Sequence, residues 1–99
     1  MATRIVRVDL ELKDLIPGFL NNRQQDALSI RAALAQEDME TVRILGHSMK
    51  GCAGGYGFNA LSVLGGILEQ GAQNRDSEAI TTAVDELQTY LAEVEIIYD

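Results

Sequence analysis

The segment His47-Ser-Met-Lys50-Gly51 sets what chemistry this chain can perform. An imidazole is mostly uncharged at neutral pH and offers a ring nitrogen as a nucleophile. Residues three, four or seven apart on a helix share a face, so Glu40, Arg43, Ile44, Lys50, Gly51 and Gly54 surround the ring. No serine or cysteine with a base, no second zinc ligand and no pair of carboxylates stands in this patch. Such a ring can accept an electrophile and pass it on, and it lacks the equipment to hydrolyse it. A phosphoryl group there would bring up to about two negative charges. Lys50, joined by Arg43, would offset them.

Composition removes most competing classes. His47 is the one histidine, so no multi-histidine metal site exists. Cys52 is the one cysteine, which excludes an internal disulfide and suits a reducing cytoplasm. Eight Lys and Arg stand against 15 Asp and Glu, a net charge of −7. That argues against nucleic acid and against a basic membrane-surface helix as partners. The charge is uneven: residues 1–50 hold seven basic and seven acidic groups, whereas residues 51–99 hold Arg75 against eight acids. The longest uncharged stretch, the 18 residues from Gly51 to Leu68, contains six glycines and is too broken to span a bilayer. The start, Met1 to Asp9, lacks the apolar run of an export signal. We therefore expect a cytoplasmic protein, and Met1 favours a free-standing one over a piece of a hybrid kinase.

These residues must be positioned by helices. With 99 residues and 46% apolar content, the chain supports one domain, 1–99, with residues 1–8 as a flexible or extended lead-in. From Pro17, a favoured first helical residue, Ile16, Leu20, Ala27, Ile30 and Leu34 recur at helical spacing. Asp38 caps a second helix with Val42, Leu45, Met49, Cys52, Ala53 and Tyr56 along one stripe, ended by Gly57. Asn59 caps a third, with Phe58 and Val63 spaced as a hydrophobic staple and Leu61, Leu64 and Leu68 as its apolar stripe. After a turn at Gln73–Asp76, a last helix carries Ile80, Ala83, Val84, Leu87, Leu91 and Val94. Short links favour an all-α, antiparallel four-helix bundle. In the first dozen residues, Val6, Val8, Leu10 and Leu12 alternate like a strand, while Asp9 could equally cap a short helix to Leu15. A lone strand is unstable, so we expect a short additional N-terminal helix.

On a helical wheel the second helix's core stripe lies roughly 140–240° from His47, which turns the ring to solvent. Glycine inside a helix costs roughly 1 kcal/mol relative to alanine. Gly51 and Gly54 beside the ring suggest that something must come close to it; the alternative is that both help to end the helix. Ile44, one turn before His47, either offers an apolar contact to a partner or tucks against a neighbouring helix. Cys52 lies on the core stripe and packs there.

His47-Ser-Met-Lys50-Gly51, the small residues Cys52, Ala53 and Gly54, then Gly57, Leu61, Leu64, Leu68 and Glu69 resemble the histidine-containing phosphotransfer domains of bacterial two-component phosphorelays. The upstream Leu15-Ile-Pro-Gly-Phe-Leu20 and Arg23 extend the likeness over nearly the whole chain. The resemblance implies that His47 is the phosphoacceptor through Nε2, that Lys50 neutralises the phosphoryl group and that Gly51 leaves room for a partner. Glu69 matches the position whose side chain bonds the other ring nitrogen, and Gly65 and Gly66, one turn earlier, would let its helix approach the histidine helix. Cys52 and Gly46 replace more usual residues, but both are small.

The chain is thus expected to be a phosphocarrier without turnover of its own. Its site is His47, Lys50 and Glu69, and its partner contacts are Arg43, Ile44, Gly51 and Gly54. The implied partners are response-regulator receiver domains and a histidine kinase, hybrid or otherwise. The chain would bind no cofactor or metal itself, Mg²⁺ being held by the receiver. The alternative is a module that docks on a receiver and inhibits or titrates it without accepting phosphate.

Overall fold

The computed structural model describes residues 4–99. The first three residues of the expected lead-in lie outside that range. Four helices, α1 (Ile16–Ala35), α2 (Met39–Gly55), α3 (Asn59–Gln73) and α4 (Ser77–Glu93), follow one another through short turns. Each packs antiparallel to its neighbours, and α4 closes the ring by packing on α1, where Arg31 of α1 bonds Asp85 and Gln88 of α4. The expected bundle is therefore what forms.

The cap expected for α2 is made by a side chain, and α4 has one of the same kind that was not expected. Asp38 accepts from the Thr41 N–H at 3.1 Å, and Asp76 accepts from the Ala79 N–H at 3.1 Å. The core runs along the bundle axis through Ile16, Ile30, Val42, Met49, Phe58, Leu61, Leu68, Ile80 and Leu87, all fully buried. None of the buried side chains among the described residues is polar or charged. Phe19, absent from the stripe read in the sequence, is buried in α1 as well.

Asn59 does not cap α3. Phe58 occupies the N-cap position without a side-chain hydrogen bond, and Val63 is 62% exposed. Gly57 adopts the left-handed conformation (φ +89°) and lets Phe58 turn inward, where its N–H donates to the Ala53 carbonyl at 3.0 Å. Its ring then stacks on Phe19 with centroids 5.2 Å apart. Burying a phenylalanine gains about 1.5–3 kcal/mol, more than the roughly 1 kcal/mol of a side-chain cap. The buried ring thus sets the register, and the staple is lost.

The chain ends depart further from expectation. Arg4–Val8 forms a strand, β1, paired in parallel with Val94–Tyr98, β2, in the register Arg4↔Val94 to Val8↔Tyr98. Val94 is therefore the first residue of a strand and not the last of a helical stripe. The run Val-Glu-Ile-Ile-Tyr is β-branched and aromatic, which favours extended backbone, and Val94 switches to φ −67°, ψ 133°. The alternation in β1 has a partner after all, 90 residues further along the chain. Both N-terminal alternatives coexist, because Asp9 accepts from the Glu11 N–H at 2.9 Å and opens a 3-10 helix over Leu10–Leu15. Val6, Val8, Val94, Ile96 and Tyr98 face the bundle, and Arg7–Asp99 (2.9 Å) and Arg4–Glu93 (3.5 Å) pair at the two ends of the sheet.

Phe58→Ala should cost about 3–5 kcal/mol, read as a lowered urea midpoint with an unchanged slope.

Candidate functional site

His47 stands on the outer face of α2 with 66% of its side chain exposed. Val42, Met49 and Ala53 are buried on the opposite side, flanked by the partly buried Leu45, Cys52 and Tyr56. The wheel read from the sequence is thus correct for the ring and for its core stripe.

What the wheel cannot give is the neighbour across the helix pair. α3 lies so close to α2 that two glycines touch backbone to backbone. A Cβ on Gly46 would sit 2.7 Å from the Glu69 nitrogen and 2.8 Å from the Gly65 oxygen. One on Gly65 would sit 2.5 Å from the Lys50 nitrogen and 2.7 Å from the Gly46 oxygen. Gly65 was expected to permit this approach; Gly46 is its unforeseen counterpart, and a small residue beside the reactive position was the only sign of it. Gly66 borders the Lys50 stem instead. Ser62 adds a bond across the seam, donating to the Lys50 carbonyl at 2.8 Å.

This contact sets the reach of Glu69. One carboxylate oxygen, Oε2, lies 2.9 Å from His47 Nδ1, and the other, Oε1, accepts from Lys50 Nζ at 3.1 Å. Only 15% of the Glu69 side chain is exposed, against 50% for Lys50. The Lys50 hydrogen bond, and then the one from His47, hold the Glu69 carboxyl below the usual carboxylate range against its partial burial. An ionised carboxylate can only accept. Nδ1 must therefore carry the ring proton, and the Nε2 lone pair points away from Glu69. A carboxylate that fixes the tautomer and faces the ring also stabilises positive charge arriving on it.

The other expected residues divide. Gly51 has nothing within 4 Å of where a Cβ would stand, and Gly54 has only the Ser62 hydroxyl at 3.8 Å, so the surface beyond the ring is bare. Ile44 is 50% exposed, so an apolar surface one turn before the ring is open to solvent. Arg43 forms a two-pronged pair with Glu40, Nε at 3.0 Å and Nη2 at 2.7 Å, so its charge is engaged one turn away from the ring. Cys52 packs at the α1 side and receives a hydrogen bond from Arg23 at 3.2 Å, an interaction the sequence did not suggest. Among the described residues no group of three or more His, Cys, Asp or Glu converges as a metal site. Among the described residues no helix is long and apolar enough to cross a membrane.

Residues 14–96 match the family model of the Hpt domain, which covers nearly the whole chain. The chain belongs to the Hpt domain family. Members of this family carry phosphoryl groups in two-component signalling, with receiver domains and kinases as partners, and are carriers rather than enzymes. No curated protein and no solved structure matches the chain significantly.

Two consequences are measurable. Gly65→Ala should separate α2 from α3, lower the melting temperature and remove the His47–Glu69 contact, seen as a changed imidazole ¹⁵N tautomer pattern. Gly51→Ala should instead be neutral or stabilise by about 0.5–1 kcal/mol. The second consequence concerns acid. Because the folded state lowers the Glu69 carboxyl, its contribution is complete above the ordinary value of about 4.3. It is lost as pH falls through the lowered value. Asp38 and Glu40 are held low as well, by Thr41 and Arg43, and are common to both proteins compared. Glu69→Gln should therefore lose stability less steeply than the wild type below about pH 4.3.

Proposed function

We propose that His47 accepts a phosphoryl group at Nε2 from a receiver aspartate, or from a histidine kinase, and passes it to the aspartate of another receiver. The observation carrying this reading is the pairing of Nδ1 with Glu69 while the outer face of the ring is open. The Nε2 lone pair attacks phosphorus, the Nε2–P bond forms, and the aspartyl O–P bond breaks to release a carboxylate. Nδ1 keeps its proton throughout, so the ring becomes a phosphoimidazolium whose positive charge faces Glu69. In the reverse step a receiver carboxylate attacks phosphorus and the ring leaves uncharged. No proton has to move in either direction, and no group on the chain activates water.

Lys50 has a second duty in this scheme. At rest its ammonium is held by Oε1 of Glu69; an arriving phosphoryl oxygen offers a stronger acceptor within reach of the same flexible side chain. Gly51, Gly54 and Ile44 give the partner a surface with one apolar contact and no bulk beside the ring. The chain holds no cofactor of its own in this reading, and Mg²⁺ belongs to the receiver.

Incubation with a phosphorylated receiver and Mg²⁺ tests the proposal. The wild type should acquire an acid-labile, base-stable label, and His47→Gln none. Tight receiver binding without label would overturn it and assign an inhibitory docking module. Lys50→Ala should fold normally and transfer about tenfold to a hundredfold more slowly, the loss of one charge-assisted hydrogen bond of about 1.5–3 kcal/mol. An unchanged rate removes Lys50 from the mechanism. Glu69→Ala should slow transfer less, by roughly threefold to tenfold, about 0.7–1.4 kcal/mol.

A further inference from the structure

One residue of α2, Lys50, is met along its whole length by one strip of α3. Ser62, Gly65, Gly66 and Glu69 recur at helical spacing and so share that side of the helix. A Cβ on Gly65 would stand 2.5 Å from the Lys50 nitrogen and 3.0 Å from its Cα, and one on Gly66 would stand 3.4 Å from its Cδ. Glu69 Oε1 holds the ammonium at 3.1 Å. At the other end of the residue the half-buried Ser62 donates its hydroxyl hydrogen to the Lys50 carbonyl at 2.8 Å. The two glycines permit the close approach of the helices, and Glu69 gives the ammonium its resting place. The Ser62 bond serves neither purpose.

The local sequence shows what it does serve. Three of the last five residues of α2 are glycines, Gly51, Gly54 and Gly55, and each loosens a helix relative to alanine. All three are exposed. Among the described residues no atom of another element lies within 4 Å of a Cβ position at Gly51 or Gly55, and at Gly54 only Ser62 Oγ does, at 3.8 Å. The buried Ala53 anchors the inner side of this turn, and Ser62 is the tie on its outer side. Ser62 is itself firmly placed, because its N–H donates to the carbonyl of the fully buried Phe58 at 3.1 Å. In a regular helix the Lys50 carbonyl accepts from the Gly54 N–H, and its second lone pair takes the serine hydroxyl. The bond holds main chain only, so the ammonium can leave Glu69 while the turn that carries it stays in place.

We infer that Ser62 is a positioning residue for phosphoryl transfer: its hydroxyl fixes the glycine-rich end of α2, and with it the point from which the Lys50 ammonium swings between Glu69 and the phosphoryl group. This role rests on transfer through His47 and adds a residue whose hydroxyl bonds neither the imidazole nor Glu69. It also explains how α2 keeps a bare surface beside the ring without fraying there. A residue acting through Lys50 costs no more than the loss of Lys50 itself, and its effect vanishes once Lys50 is gone.

The test is single-turnover transfer from a phosphorylated receiver with Mg²⁺, over a range of receiver concentrations, for the wild type, Ser62→Ala, Lys50→Ala and the double variant. Alanine is the best helix former, so Ser62→Ala should keep the circular dichroism of the wild type. Its saturated rate should fall about threefold to tenfold, the range set by one neutral hydrogen bond. The half-saturating receiver concentration should not change. In the Lys50→Ala background the same substitution should alter the rate by less than about twofold, because the two residues are coupled. Amide hydrogen exchange, which needs no receiver, should quicken at Gly54 and Gly55 in Ser62→Ala and stay unchanged at Val42 and Leu68. An unchanged saturated rate, an equal loss with and without Lys50, or unaltered exchange at Gly54 would overturn the role. So would a shift confined to half-saturation, which would assign Ser62 to docking. A wild type that takes no label removes transfer through His47 and this role together, a result distinct from all of these.

Discussion

The contact on which the site depends is the approach of two backbones at Gly46 and Gly65. Neither glycine is there for a turn; both lie inside helices, where each carries the entropic cost of an unbranched backbone. That cost is offset by what the short separation of α2 and α3 permits. Glu69 spans the seam with one side chain, reaching the imidazole with one oxygen and the ammonium of Lys50 with the other. With alanine at either position the helices would have to part by the better part of an ångström or more, enough to lengthen both hydrogen bonds beyond useful geometry.

Electrostatics then follow from placement. The chain is strongly acidic, but its net negative charge lies in the second half, where Arg75 stands against eight acids, and the one acid at the ring is satisfied on both oxygens. Arg43 is engaged by Glu40 and Lys50 by Glu69, so the surface around His47 carries paired charge at rest. A dianionic group on the ring disturbs that balance in one place only. Lys50 is the cation with the freedom to respond, because its long stem rests against the bare flank of Gly66.

The sequence made the bundle, the Asp38 cap of α2 and the orientation of His47 legible, because each rests on local spacing along a single helix. Val42, Met49 and Ala53 recur at the helical period whatever they pack against. The parts that were not legible need a partner from far along the chain. Val94 fits the stripe of α4 by period alone, and only pairing with Arg4 shows that it is extended. Phe58 was read as a staple because sequence spacing says nothing about how deep a ring will sink; its burial moved the start of α3 by one residue. The Glu69 contact was implied by family resemblance and by nothing in the spacing of residues 47 and 69. Gly46 had no signal beyond its size.

The arrangement of the chain ends has a mechanical consequence. β1 and β2 run the same way, so the polypeptide enters at one end of the pair and leaves at the other. A pull on the two termini therefore loads the strands along their length, and every ladder bond resists together instead of opening one at a time. Arg4–Glu93 and Arg7–Asp99 fasten the two ends of that short ribbon. Tension transmitted through the backbone meets this seam before it reaches the helices, which shields the geometry around the imidazole from strain applied outside the bundle.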